Sequence, residues 1–263
     1  MPHRIVTLTT DFGLSDHFVG TMKGVILGIC PTARIVDISH EITPFEIPEG
    51  AFVVAQAYRY FPPKTVHVVV VDPGVGTSRR PILAEAGGQY FIAPDNGVLS
   101  LVWAREEKAR VRAITAKRYF LPDVSQTFHG RDVFAPSAAH LAKGVPAARF
   151  GKLIEDHLRL SFAAPVRTGR RAWSGVILKI DRFGNLITNF RPDDFPELAA
   201  RPFEFAVGFQ KVSRLAANYA ECAPGELFVI LGSSGYLEIS TSQASAAKAL
   251  GCGAGAPVEL TLF

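Results

Sequence analysis

The chain has 263 residues, 48% hydrophobic and 20% charged, the composition of an ordinary globular protein with ample core for one large domain or two smaller ones. Its formal charge of +4 is spread without any Lys/Arg run longer than two, which argues against a nucleic-acid partner. No apolar stretch approaches the roughly 20 residues needed to span a bilayer, so no membrane partner is expected. The start of the chain lacks the layout of a signal peptide, and Cys30, Cys222 and Cys252 are odd in number and far apart, so they read as reduced thiols of a cytoplasmic protein.

Residues 4 to about 160 alternate strand and helix signals. Arg4 to Thr9 reads as a first strand, ended by Thr10-Asp11-Phe12-Gly13. A helix follows, with Ser15 as expected N-cap and Phe18, Met22, Val25 and Ile29 on one apolar face. Pro31 ends it, and Arg34 to Ile38 is a second strand. Pro48 near N1 opens a helix over Glu49 to Phe61. The valine run Val66 to Val71 reads as a strand buried on both faces. Strands at Ile82–Glu85 and Tyr90–Ala93, a helix near Val98–Ala104, a strand at Val111–Thr115 and a helix at Arg131–Lys143 closed by Gly144 complete the set. This alternation predicts an α/β fold, a mostly parallel sheet with helices on both faces.

The pattern changes after about residue 162. The segment 163–172 has little apolar periodicity and reads as a linker. Beyond it, over 173–263, come short strands at Gly175–Ile180, Leu186–Asn189, Phe203–Gly208, Leu227–Leu231, Tyr236–Ser240 and Val258–Leu262, with one helix at Ser242–Leu250. A smaller, mainly β domain is expected there, after an α/β domain over 1–162.

Four polar clusters sit at the ends of predicted strands. In Thr9-Thr10-Asp11-Phe12-Gly13, a carboxylate can accept from two neighbouring hydroxyls, which suits a ribose diol. Asp16, just beyond, also fits a helix cap. Asp72-Pro73-Gly74-Val75-Gly76-Thr77-Ser78-Arg79-Arg80 places an acid, a tight turn and two cations where open α/β sheets bind ligands. The same residues equally fit a plain turn with a solvated arginine pair. In Thr127-Phe128-His129-Gly130-Arg131-Asp132 a histidine stands at a helix start with an ordinary pKa of about 6.5, a natural proton acceptor, although a lone histidine is more often structural. In the β domain, Asp181-Arg182-Phe183-Gly184-Asn185 and Gly232-Ser233-Ser234-Gly235-Tyr236-Leu237-Glu238 fit hairpin loops, yet could also grip a zwitterion, Asp181 on its ammonium and serines on its carboxylate. No Walker-A, Gly-x-Gly-x-x-Gly, Gly-x-Ser-x-Gly or His-Glu-x-x-His motif is present, and the cysteine spacing gives no zinc site. The residues alone leave an α/β enzyme with ligand groups in both domains and an unnamed substrate.

Taken together, TTDFG at 9–13, ISHEITPFEIPEGA at 38–51, VDPGVGTSRR at 71–80, APDNG at 93–97, TFHGRD at 127–132, DRFGNLITN at 181–189 and GSSGYLEIS at 232–240 resemble the S-adenosylmethionine (SAM) hydroxide adenosyltransferase family, relatives of the bacterial fluorinase and chlorinase. The motifs run in family order from end to end of the chain. The resemblance implies cleavage of SAM by water or hydroxide at ribose C5′, giving adenosine and methionine, with no metal or other cofactor. It implies a catalytic triad at Asp72, Arg79 and His129, ribose binding at Asp11 with Asp16 nearby, and apolar walls from Phe45 and Phe128. It further implies adenine contacts from Phe183 and Asn185, and methionine contacts from Asp181, Ser233 and Ser234, with Tyr236 and Glu238 in the same motif. It also implies a homotrimer whose ligand lies between the first domain of one subunit and the second domain of its neighbour.

Two alternatives stand beside this. The halogenating relatives carry a tyrosine where this chain has Asp72, lack the arginine matched by Arg79, and have Tyr-Ser or Tyr-Gly in place of His129-Gly130. A carboxylate near a halide is repulsive by about 4 kcal/mol at 4 Å and an effective dielectric of 20, so the triad favours oxygen as nucleophile. Thr241 departs from those relatives too, which have an arginine there. The other alternative is a SAM- or adenosine-binding module with incidental turnover.

Overall fold

The computed structural model describes residues 5–106 and 108–263; of the expected first strand, Arg4 lies outside the described residues. The chain divides into two compact units, with the break after Leu160.

The first unit is built on a seven-stranded sheet. Its strands are β1 (Ile5–Thr10), β2 (Arg34–Ser39), β3 (Val66–Val70), β4 (Pro81–Ala86), β5 (Gln89–Pro94), β6 (Arg110–Ala113) and β7 (Leu153–Ile154), in the order β2-β1-β3-β5-β4-β6-β7. The pairs β1/β2, β1/β3 and β3/β5 are parallel, while β4/β5, β4/β6 and β6/β7 are antiparallel. The parallel part follows from sequence. Val66, Val68, Val69 and Val70 are at most 2% exposed, so both faces of β3 are covered. The antiparallel extension starts with the tight turn Gly87-Gly88, whose positive φ angles let the chain reverse.

Helices α1 (Phe18–Ile29), α2 (Ile47–Ala57), α3 (Ser100–Trp103) and α4 (Ala135–Lys143) flank this sheet. Met22 and Ile26 of α1 and Ala135, Ala138 and Ala139 of α4 share one core with Val6, Leu8, Val66, Val68 and Val70. Val69 and Val71 alternate to the other face, where α2 lies so close that a Cβ on Gly50 would come within 2.8 Å of Val71. Three local expectations change. His17, not Ser15, precedes α1, without a side-chain cap. The helix expected over Glu49–Phe61 becomes 3₁₀ at Tyr58–Tyr60. The helix expected from Arg131 opens as a wide π turn over Gly130–Phe134 and becomes α-helical only at Ala135, with Gly144 closing it at φ 116°.

The second unit contains β8 (Val166–Arg167), β9 (Ala172–Ile180), β10 (Leu186–Thr188), β11 (Phe203–Val207), β12 (Gln210–Val212), β13 (Leu215–Ala216), β14 (Leu227–Leu231), β15 (Leu237–Thr241) and β16 (Pro257–Leu262), with one short helix α5 (Ala246–Leu250). The strands form one sheet, antiparallel apart from β13/β14, over a core including Phe190, Phe205, Ile239 and Leu260. The segment expected as a linker, 163–172, lies inside this unit, because Val166 and Arg167 pair with Ser174 and Trp173 of β9. Two backbone hydrogen bonds, from the N–H groups of Thr168 and Gly169 to the Ala172 carbonyl, close that hairpin, which apolar periodicity cannot reveal. The expected helix over Ser242–Leu250 shortens to α5, capped by Ser245, whose hydroxyl accepts from the Lys248 N–H.

Candidate active site

Thr10 and Val70 are register partners at the carboxyl ends of the adjacent parallel strands β1 and β3. Asp11 and Asp72 follow directly from those ends, on the edge where open α/β sheets place ligands. Together with Phe45, Phe128 and His129 they line a cavity of about 290 Å³ that also includes Phe12, Phe18 and Thr127.

Asp72 and Arg79 face each other across the loop between β3 and β4. Arg79 Nε donates to Asp72 Oδ1 at 3.0 Å and Nη2 donates to Oδ2 at 2.5 Å, a bidentate pair with both side chains nearly buried. The same Nη2 lies 2.7 Å from His129 Nδ1. A guanidinium only donates, so Nδ1 accepts and the imidazole proton sits on Nε2. Burial, then the Arg79 charge, pushes the His129 pKa below its ordinary 6.5, although Asp72 and Asp132 oppose this. The three residues expected as a triad are therefore one hydrogen-bonded chain. Asp72 and His129 line the cavity; Arg79 joins them from behind, stacked near the Phe134 ring at 5.2 Å.

The turn that carries Arg79 touches the loop that carries His129. Gly76 has φ 78°, and a Cβ there would fall 2.3 Å from the Gln126 carbonyl oxygen. Only glycine meets both demands at this crossing. Nearby, Asp132 is fully buried and accepts from Arg131 Nε at 2.6 Å and from the Ser125 N–H at 2.8 Å, and its charge favours the imidazolium of His129.

Asp11 Oδ2 accepts from the Phe45 N–H at 2.9 Å, and a carboxylate keeps further lone pairs that can face the cavity. Burial raises its pKa, with a smaller contribution from Asp72 in the same direction. Phe45 has φ 72°, a conformation rarely taken by a bulky residue, and its side chain is 69% exposed. The ring of Phe128 packs edge-on against Phe12 and Phe18 at 5.9 and 5.0 Å. Asp16 is exposed and does not line the cavity, and it does not cap α1.

In the second unit, Asp181 organises the loop between β9 and β10. Its Oδ1 accepts from the N–H groups of Phe183 (2.8 Å) and Asn185 (2.9 Å), and its Oδ2 accepts from Asn185 Nδ2 at 2.8 Å. These bonds leave the Phe183 ring 78% exposed. Asn185 is buried, and its Nδ2 also reaches the Tyr219 hydroxyl at 3.4 Å. Glu238 is buried; burial first and Asp181 second raise its pKa, while the Ser234 hydroxyl, donating at 3.4 Å, opposes this. Ser233 is exposed, whereas Tyr236 is buried in the unit with 3% exposure.

Sequence reasoning missed Phe12, Phe18 and Thr127 as lining residues, and Tyr219 beside Asn185. Arg80 was open to reading as a solvated cation. Its guanidinium is in fact engaged with Asp95 and Asp156, which raises its pKa. Among the described residues, no group of three or more His, Cys, Asp or Glu side chains is placed to hold a metal ion.

A parallel-rich sheet with an acid–guanidinium–imidazole chain beside a second carboxylate defines an α/β protein with a pocket fit for a polar ligand. Residues 6–151 match the SAM hydroxide adenosyltransferase N-terminal domain and residues 175–259 match the C-terminal domain of the same family. The chain belongs to the SAM hydroxide adenosyltransferase family. It is 37% identical over 267 residues to the (R)-S-adenosyl-L-methionine hydrolase of Salinispora tropica, covering 97% of each chain. A fluorinase from an Actinoplanes species is 28% identical over 296 residues, covering 98% of this chain and 97% of its own. Among solved structures, an uncharacterized conserved protein from Thermotoga maritima superposes with a TM-score of 0.86 at 39% identity, covering 98% of this chain and 99% of that one.

Proposed function

We propose that this protein is an enzyme that hydrolyses S-adenosyl-L-methionine to adenosine and L-methionine by in-line attack of water at ribose C5′. The observation that carries the reading is the unbroken chain from Asp72 through Arg79 to His129, two of whose members line the cavity that holds Asp11. The 37% identity to a named SAM hydrolase over 97% of each chain supports it.

The leaving group in this reaction is a neutral thioether expelled from a sulfonium, so it needs no acid. The difficulty is the nucleophile, since bulk water has a pKa near 15.7. On this reading Asp72 takes a hydrogen bond from the attacking water and accepts its proton as the C5′–O bond forms. His129 does not take the proton on this reading, because Arg79 already occupies Nδ1 and the imidazole proton sits on Nε2. His129 instead orients, and Arg79 fixes both partners. General-base help is worth about 10²- to 10⁴-fold. Alignment of the water contributes more, up to roughly 7–11 kcal/mol in favourable cases.

Asp11 holds the ribose hydroxyls, Phe45 and Phe128 supply the apolar walls, and Asp16 lies outside this set. The second unit carries the adenine contacts at Phe183 and Asn185 and the methionine contacts at Asp181, Ser233 and Ser234. Tyr236, being buried, and Glu238 act through the shape of that loop. No cofactor is required on this reading, and the chain works as a homotrimer in the cytoplasm; no helix among the described residues is long and apolar enough to cross a membrane. Incubation with SAM, with and without chloride, followed by chromatography and mass analysis tests the activity. Adenosine and methionine independent of chloride support it; a 5′-chloro product or intact bound SAM overturns it. Light scattering tests the trimer against the 28.5 kDa monomer mass.

A further inference from the structure

The loop that carries Asp72 and Arg79 is closed on itself by the ion pair between those two side chains. Its other internal bonds between Val71 and Arg80 are short-range: Val75 N–H to the Asp72 carbonyl at 3.2 Å, Thr77 N–H to the Gly74 carbonyl at 3.2 Å, the Thr77 hydroxyl to the same carbonyl at 2.7 Å, and the Arg79 N–H to the Thr77 hydroxyl at 3.4 Å. Such contacts shape the turn and join its ends to each other, but do not fix where those ends stand against the sheet. The ends are fixed by two consecutive residues just beyond β5. Asn96 Nδ2 donates to the Val71 carbonyl at 2.8 Å, one residue before Asp72. Asp95 takes the other end twice: its N–H donates to the Arg80 carbonyl at 2.8 Å, and its Oδ2 accepts from Arg80 Nε at 3.0 Å and Nη2 at 2.6 Å.

Both side chains are fully committed. Asp95 is nearly buried, and its Oδ1 accepts from the Leu158 N–H at 2.8 Å. Asn96 Oδ1 accepts from the Val98 N–H at 3.1 Å. Residue 96 must therefore donate on one side and accept on the other, which an amide does and a carboxylate does not. Residue 95 must accept on both oxygens, which a carboxylate does and an amide does not.

We infer that Asp95 and Asn96 are positioning residues that clamp the two ends of the loop bearing Asp72 and Arg79, and so set the geometry of the chain to His129. The inference rests on the hydrolase reading for its kinetic consequence, but not for its structural one. Neither residue touches the cavity. Their effect passes through backbone at positions 71 and 80, each adjacent to a residue of the chain. A misplacement of about 1 Å at a reacting group can cost about 10²-fold in rate.

The test uses the full-length Asn96→Asp variant, which keeps the acceptor toward Val98 and loses the donor toward Val71. Arg80→Met approaches the same clamp from a partly exposed side chain, so it provides a second route should Asn96→Asp fail to fold. Steady-state kinetics with SAM, calorimetric adenosine binding, thermal melting and NMR titration of the His129 imidazole are read on each variant. The expected result is a kcat ten- to hundred-fold lower, KM and adenosine affinity within about twofold of the parent protein, and a His129 titration displaced because Arg79, Asp72 and Asp132 no longer face the ring as before. A folded variant with unchanged kcat and unchanged His129 titration overturns the inference. So does a parallel loss of kcat, affinity and melting temperature, which marks a merely structural role. If the parent protein does not turn over SAM, the hydrolase reading fails, and the His129 titration alone decides the clamp.

Discussion

Arg79 Nη2 and His129 Nδ1 stand 2.7 Å apart, and because the guanidinium can only donate, this contact holds the imidazole neutral with its proton on Nε2. Burial and the Arg79 charge both disfavour the imidazolium, so the neutral form persists below the ordinary pKa of 6.5. The sign follows directly: activity that needs this neutral ring is full at pH 7 and falls only as the pH drops through a value below 6.5. The acid limb of kcat/KM against pH is expected below that value. In Arg79→Met the limb moves upward toward 6.5, with a lower plateau. An acid limb at the same pH in both proteins contradicts the arrangement.

Asp11 is the group expected to hold the ribose hydroxyls. A hydrogen bond to a charged acceptor contributes about 1.5–3 kcal/mol, so Asp11→Ala is expected to weaken adenosine binding roughly ten- to hundred-fold. Its pKa is raised by burial, so the favourable carboxylate form is lost at a higher pH than for an exposed aspartate. Calorimetry from pH 7 downward reads both effects: affinity falls toward acid in the parent protein and stays flat in the variant.

Gly76 lies where the Arg79 turn crosses the His129 loop, with φ 78° and no room for a Cβ against the Gln126 carbonyl. Gly76→Ala forces a non-glycine residue into this region and is expected to cost about 1–3 kcal/mol. Thermal melting reads the loss, and kcat is expected to fall with it because both catalytic loops must shift.

His67 tests the core rather than the site. Its Nδ1 accepts from the Thr7 hydroxyl at 2.7 Å and its Nε2 donates to the Gln89 amide oxygen, whose nitrogen is committed to the Tyr58 and Phe61 carbonyls. The ring is fully buried and its pKa is lowered to about 4, mainly by desolvation. The unfolded chain takes up this proton near 6.5, so stability is complete above that pH and is lost as the pH falls toward 4, by about 3 kcal/mol in all. Melting curves between pH 7 and 4.5 should show a smaller decline for His67→Gln than for the parent protein.

Much of the first unit was legible because its signals are local. The valine run of β3 and the apolar face of α1 state their own burial; the Asp11, Asp72 and Asp181 clusters fall at strand ends, and the His129 cluster falls at a helix start, as its residues suggest. The parts that sequence did not show depend on contacts far along the chain. Gly130, where the π turn opens, packs against Phe12 and Met22, which no window around residue 130 contains. β8 is too short to carry a period, and only its pairing with β9 makes it a strand. The tautomer of His129 is a property of Arg79, fifty positions away by chain. Asp95 and Asn96 stood inside a motif matched to the family, but their task is visible only once β5 lies beside β3.

The central claim is that a water held by Asp72 attacks C5′ of SAM, and isotope transfer tests it most directly. Parent protein and Asp72→Asn are incubated with SAM in ¹⁸O-labelled water, and the adenosine is analysed by mass spectrometry. The account predicts one ¹⁸O in the 5′-hydroxyl of adenosine formed by the parent protein, and at least a 10²-fold slower appearance of labelled adenosine with Asp72→Asn. Unlabelled product, or an undiminished rate in the variant, would contradict it.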